Sequence, residues 1–166
     1  MKLDLSVSIS DLIQIAIFLA ILFQAWLAVK SLKADHERRK KQATFEFVNA
    51  VTDRYKNPIN EFNNKYGVDR IIDISDYTEE DRFFVRSYLS EIERICAGIN
   101  SGVFDYDILR KMMAGNLIKN HRRFGQYVEN AQKKRRTFYS EFEAVVARLK
   151  ADESQPEYDE ANIRHS

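Results

Sequence analysis

From Leu12 to Val29 the chain reads LIQIAIFLAILFQAWLAV, with no charged side chain between Asp11 and Lys30. As a helix rising 1.5 Å per residue, this run spans about 27 Å, close to the ~30 Å hydrocarbon core of a bilayer. Its polar side chains are Gln14 and Gln24. A buried core helix of this length would show a polar face, and a cleaved signal peptide would need a basic start and a small-residue cleavage site. Here Lys2 is offset by Asp4, and the sequence after Val29 is strongly basic. The pattern therefore predicts a single transmembrane helix over 12–29. A short external N-terminus at 1–11 precedes it, with Ser10 and Asp11 positioned to cap it.

Beyond the span, the periods are helical. Thr44, Val48, Val51 and Tyr55 recur at spacings of four, three and four, widened by Phe47, on a juxtamembrane basic helix over 30–57. Asn57-Pro58 predicts a stop and a restart, because proline disfavours helix in the residue before it and suits the first position of a new one. Ile59, Phe62 and Tyr66 give a short amphipathic helix, and Gly67 is placed to cap it. VDRIIDISDY at 68–77 reads as a loop whose Ile71, Ile72 and Ile74 tuck onto the core. Thr78 to Asp81 resembles a capping box with Asp for the usual Glu or Gln. Behind it Val85, Tyr88, Ile92, Ile95 and Ile99, flanked by Phe84, Leu89 and Cys96, form a stripe wide enough for neighbours on two sides.

Asp105 or Asp107 starts the next helix, whose face carries Leu109, Met113, Leu117, His121, Phe124 and Val128, with Gly115 and Gly125 as candidate bends. Phe138, Phe142, Val145 and Leu149 mark a last helix, and the acidic segment 151–166, which has no apolar period, reads as a disordered tail. Five glycines and two prolines leave few breaks, and strand-like alternation is nearly absent. The fold class is all-α: one N-terminal transmembrane helix, then an antiparallel helical bundle whose main domain covers 58–150.

Charge adds an orientation. Counting Lys and Arg alone, one residue (Lys2) precedes the span and six follow it: Lys30, Lys33, Arg38, Arg39, Lys40 and Lys41. Basic flanks stay cytoplasmic, so the N-terminus is expected outside and residues 30–166 inside. Trp26 stands near the inner end of the span, where an indole favours the interface. The single cysteine, Cys96, cannot form an internal disulfide and fits a reducing compartment.

Three segments carry a family likeness: QATFEFVNAVTDRY behind the basic run, YLSEIERICAGINSGVFDYDIL, and FGQYVENAQKKRRTFYSEFEAVVARL. Together they resemble the bacterial domain of unknown function 4760, over roughly residues 40–150. The resemblance implies a short helical protein, often with an N-terminal hydrophobic segment, at the bacterial inner membrane. It brings no catalytic residues.

No catalytic, cofactor or metal chemistry rises from the motifs. There is no glycine-rich phosphate loop, Gly-x-Ser-x-Gly or His-Glu-x-x-His. His121 has no carboxylate or nucleophile at helical spacing, and His36 and His165 pair with no Cys or second His as zinc ligation would require. Cys96 and most of the tyrosines read as core, and Glu91 and Glu93 as solvated charge. Arg38, Arg39, Lys40 and Lys41 suit a membrane interface facing anionic lipid. Lys119, Arg122, Arg123, Lys133, Lys134, Arg135 and Arg136 could together form a patch for an anionic ligand. Ala16, Ala20, Gln24 and Ala28 recur every four residues as a transmembrane packing face.

These features point to a membrane-anchored, cytoplasm-facing interaction or scaffold module that is not an enzyme. Its expected partners are the bilayer, a protein, and a second copy of itself through the transmembrane helix. The alternative is a basic-patch module for nucleic acid or anionic lipid, with nucleic acid the weaker candidate.

Overall fold

The computed structural model describes residues 9–68 and 70–154. The side chains of Ser10 and Asp11, residues 1–8 and residues 155–166 lie outside that description, so their expected capping, external N-terminus and acidic tail do too. Among the described residues the chain is all-helical. Helices α1 (Ile9–Tyr66), α2 (Glu79–Asn100), α3 (Tyr106–Arg123), α4 (Gly125–Lys134) and α5 (Ser140–Ser154) follow in order, with a 3-10 turn at Ile74–Asp76. The chain divides into two units, Met1–Arg39 and Lys40–Ser166.

In the first unit, every described side chain from Leu12 to Arg39 is exposed. Phe23 stacks on Trp26 at 6.0 Å, and Lys30 sits 5.3 Å over the same indole. Arg39 pairs with Asp35 one turn earlier at 2.8 Å. Among the described residues this is the one helix long and apolar enough to cross a membrane, by length and composition.

In the second unit the predicted stripe on α1 is buried at Thr44, Val48 and Val51. The Thr44 hydroxyl donates to Lys40 O at 2.8 Å and accepts from Asp105 N–H at 2.7 Å, which ties α1 to the start of α3. The helix does not stop at Asn57-Pro58: it runs through Pro58 to Tyr66. A mid-helix proline removes one backbone bond and crowds the preceding turn. Aromatic packing from α2 spans the defect. Phe84 meets Tyr55 before the proline at 6.3 Å and Phe62 after it at 5.2 Å. Gly67 ends the helix at φ +86°, its N–H bonded to Asn63 O at 2.7 Å.

Asp81 completes the capping box that opens α2. Its Oδ2 accepts from Thr78 N–H at 2.9 Å and Thr78 Oγ1 at 2.6 Å, while Thr78 Oγ1 accepts from Asp81 N–H. The same oxygen also takes Lys65 Nζ and Tyr66 Oη, both at 2.6 Å, so one carboxylate closes the end of α1 onto the start of α2. Burial alone would raise the Asp81 pKa, but these donors outweigh it and hold the carboxyl well below the usual range. Of the three loop isoleucines, Ile72 is buried, Ile74 is half-buried and Ile71 is exposed.

The α2 stripe Val85, Tyr88, Leu89, Ile92, Ile95, Cys96 and Ile99 is buried throughout. It packs with Leu109, Met113 and Leu117 of α3, with Phe124 and Val128, and with Phe142, Val145, Val146 and Leu149 of α5. Asp105 caps α3 through Ile108 N–H at 2.9 Å. The face expected to continue to Val128 breaks at Phe124, so α3 and α4 are separate helices meeting beside Gly125. Helix α5 extends into the segment expected to be disordered. Within that extension, Asp152 accepts a 2.6 Å bond from Tyr106 Oη.

Candidate functional site

The basic residues expected to share one patch occupy different settings. Arg123 is 3% exposed, as the last residue of α3. Its Nη1 donates to Asn63 Oδ1 at 2.6 Å and its Nη2 to Gly67 O at 2.7 Å. Its guanidinium lies 4.8 Å over Phe62 and 5.5 Å over Phe124. Arg123 therefore fastens the end of α3 to the end of α1. Lys119, half-buried one turn earlier, lines with it a cavity of about 240 Å³ between the two helices. Lys56 and the amides of Asn60, Asn63, Asn116 and Asn120 are on its wall. Within the same lining Asn120 Nδ2 donates to the buried Tyr88 Oη at 2.8 Å.

Arg122 is exposed and lines neither this cavity nor the one described next. Lys133, Lys134, Arg135 and Arg136 are all exposed at the end of α4 and the connector behind it. Arg135 lies 5.7 Å over Phe138. Of these four, Lys134 lines a second cavity, of about 720 Å³. That volume falls in the range of small-molecule sites.

The second cavity is built by four parts of the second unit, one of them the 3-10 turn with Ile74 and Ser75. Helix α2 contributes Arg82, Arg86, Ser90 and Glu93, a polar stripe at spacings of four, four and three beside its apolar one. Helix α4 contributes Tyr127, Asn130 and Lys134, and the connector contributes Thr137, Phe138 and Tyr139. The connector is held in place: Gln132 Nε2 donates to Phe138 O at 3.1 Å and to Glu143 Oε2 at 2.7 Å. Tyr139 enters α5 at φ +59°, a left-handed conformation that is uncommon for an aromatic residue and favours glycine.

Glu93, expected to be solvated charge, is half-buried and caps α5 from another helix. Its two carboxylate oxygens accept Glu141 N–H at 3.1 Å and Phe142 N–H at 2.7 Å. Burial raises its pKa, and the two backbone donors oppose that. Glu91 is likewise buried and paired, at 3.0 Å to both Arg54 and Arg94. The Tyr127 hydroxyl is pushed up by burial, with Arg86 and Arg82 close enough to oppose the shift.

Arg82 and Arg86 were not among the residues the sequence singled out. Their signal was the four-residue spacing of 82, 86 and 90 alongside the apolar stripe. Among the described residues, neither of them nor Lys134 lies within ion-pair distance of a carboxylate, whereas Arg39, Arg54, Lys65 and Arg94 do.

The remaining candidate groups lie outside both cavities. Cys96 is fully buried and its thiol is pushed up by burial. His121 packs edge-on against Phe142 at 5.6 Å, and burial lowers its pKa. Among the described residues, no group of three or more His, Cys, Asp or Glu side chains is placed to hold a metal ion. On α1, Ala16, Ala20, Gln24 and Ala28 are exposed, as are Arg38, Arg39 and Lys41, while Lys40 is half-buried.

No curated protein and no solved structure matches the chain. A family model does, and it covers most of the apolar run, the aromatic seam of α1 and α2, and both cavities. Residues 14–149 match the domain of unknown function DUF4760, and the chain belongs to that family.

Proposed function

We propose that this protein is a membrane-anchored helical interaction module, with α1 crossing the bilayer over 12–29 and residues 40–154 held as a binding domain on the cytoplasmic side. The observation that carries this reading is the change of character along α1. From Leu12 to Val29 its large apolar side chains stand between 44% and 61% exposed. From Thr44 onward the same helix buries its apolar face. Apolar surface this long and continuous is costly in water and favourable in lipid. Two further features support it. Trp26 and Lys30 form a cation–aromatic pair at the end of the run, suited to the headgroup region. The family match begins inside the run, at residue 14, so most of the apolar segment belongs to the family domain.

The module reading assigns no chemistry to the domain and leaves partner recognition to its surface. Alkaline carbonate extraction of membranes containing the full chain tests the anchor. The protein should remain in the pellet, and the double substitution Leu19→Arg, Leu22→Arg should release it. Wild-type protein in the supernatant would overturn the reading.

A further inference from the structure

We propose that the cavity walled by Arg82, Arg86 and Lys134 is a binding site for a small organic phosphate carrying a flat ring, of the nucleoside phosphate class. The site stands whether or not α1 spans a membrane.

Three cations from two helices line one cavity of about 720 Å³, and among the described residues no carboxylate lies within ion-pair distance of any of them. The one acid on the wall, Glu93, has both oxygens engaged by the first amides of α5. The wall therefore presents net positive charge, with Arg82 Nη2 also reaching Ile74 O at 3.5 Å. Guanidinium groups match phosphate oxygens in a planar, two-pronged geometry, and a lysine adds a point charge. Hydroxyls of Thr137 and Tyr127 supply neutral donors around the same space, while Ser90 Oγ donates to Arg86 O at 2.7 Å.

A bare anion would use only the cationic groups. The same lining also carries Phe138, 43% exposed with Arg135 5.7 Å over its ring, and the Tyr127–Tyr139 pair, with ring centroids 6.4 Å apart. Such rings offer faces to a flat heterocycle. The wall is also preformed. Gln132 fixes the carbonyl of Phe138, and Tyr139 is held in the left-handed region, a strained conformation of the kind that concentrates at ligand sites.

The test uses the full chain purified in a nonionic detergent, with calorimetric titration of ATP, pyrophosphate and adenosine. ATP should bind with saturation, pyrophosphate more weakly, and adenosine weakest. Arg86→Gln and Lys134→Gln change exposed side chains. Each should weaken ATP binding roughly tenfold or more, as expected for loss of a charge-assisted contact. Arg110→Gln, an exposed arginine outside the cavity, should leave binding unchanged. Circular dichroism of each variant checks that the fold is retained. No ATP binding, or ATP binding that Arg86→Gln and Lys134→Gln leave intact, would overturn the proposal. So would binding seen only with phosphatidylglycerol vesicles or single-stranded RNA. Carbonate extraction is unaffected by any of these outcomes, so the site and the anchor fail separately.

Discussion

Gly98 lies inside α2, where alanine would ordinarily be preferred by about 1 kcal/mol. The surroundings reverse that preference. A Cβ built on Gly98 would fall 2.2 Å from Cδ2, 2.6 Å from Cε2 and 3.2 Å from Cγ of Phe104. Carbon atoms pack best at about 3.5–4.0 Å, so the ring must move. It is not free to do so: Phe104 N–H bonds Gly98 O at 2.9 Å, and the ring packs on Phe47 at 5.2 Å. Overpacking of this kind costs about 1–3 kcal/mol. Set against the propensity gain, Gly98→Ala should destabilise the protein by up to about 2 kcal/mol. For a unit of this size that lowers the melting temperature by about 3–6 °C per kcal/mol. Thermal unfolding followed by circular dichroism reads it. The double variant Gly98→Ala, Phe104→Ala separates the causes. With the ring gone, the added methyl should be neutral or stabilising relative to Phe104→Ala alone. A Gly98→Ala protein more stable than wild type would refute the argument.

Other outcomes follow from particular contacts. Thr44→Val leaves the Asp105 N–H buried without its 2.7 Å acceptor and should cost about 1–3 kcal/mol, whereas Thr44→Ser should cost much less; chemical denaturation compares them. Asp81→Asn should lose about 2 kcal/mol by weakening the charge-assisted bonds from Lys65 and Tyr66. Because the folded Asp81 carboxyl is held low, its contribution is present above about pH 4 and is lost as pH falls through the folded value. Denaturation across acid pH should therefore show a shallower loss for Asp81→Asn than for wild type. Replacing Ala20 and Gln24 together with Leu should reduce proximity crosslinking in membranes if the small-residue face of α1 pairs two copies, and equal crosslinking would exclude that face.

Periodicity made most of the helical scaffold legible. The α2 stripe, its capping box and the Asp105 cap were readable because each is a local pattern set by neighbours three or four residues away. The miss at Pro58 has a different origin. Proline's local penalty is real, but Phe84 packs on both sides of it, and sequence spacing does not reveal a contact from another helix. Glu93 was misread for the same reason: its role as cap of α5 depends on residues 48 and 49 positions away. The basic run 133–136 was visible as composition, yet only Lys134 reaches the cavity, and its partners Arg82 and Arg86 come from α2. Helix packing, not chain order, brings those charges together, and it sends Arg123 into the interior between Phe62 and Phe124.

The proposed membrane anchoring is tested most directly by where the C-terminal end of the chain resides. Alkaline phosphatase, active only outside the cytoplasm, and a fluorescent protein, active only inside it, can each be fused after Ser166 in a bacterial host. One basic residue before the apolar run against six after it predicts strong fluorescence and negligible phosphatase activity, with the fusion protein in the membrane fraction. Strong phosphatase activity, or fluorescent protein recovered in the soluble fraction, would contradict the account.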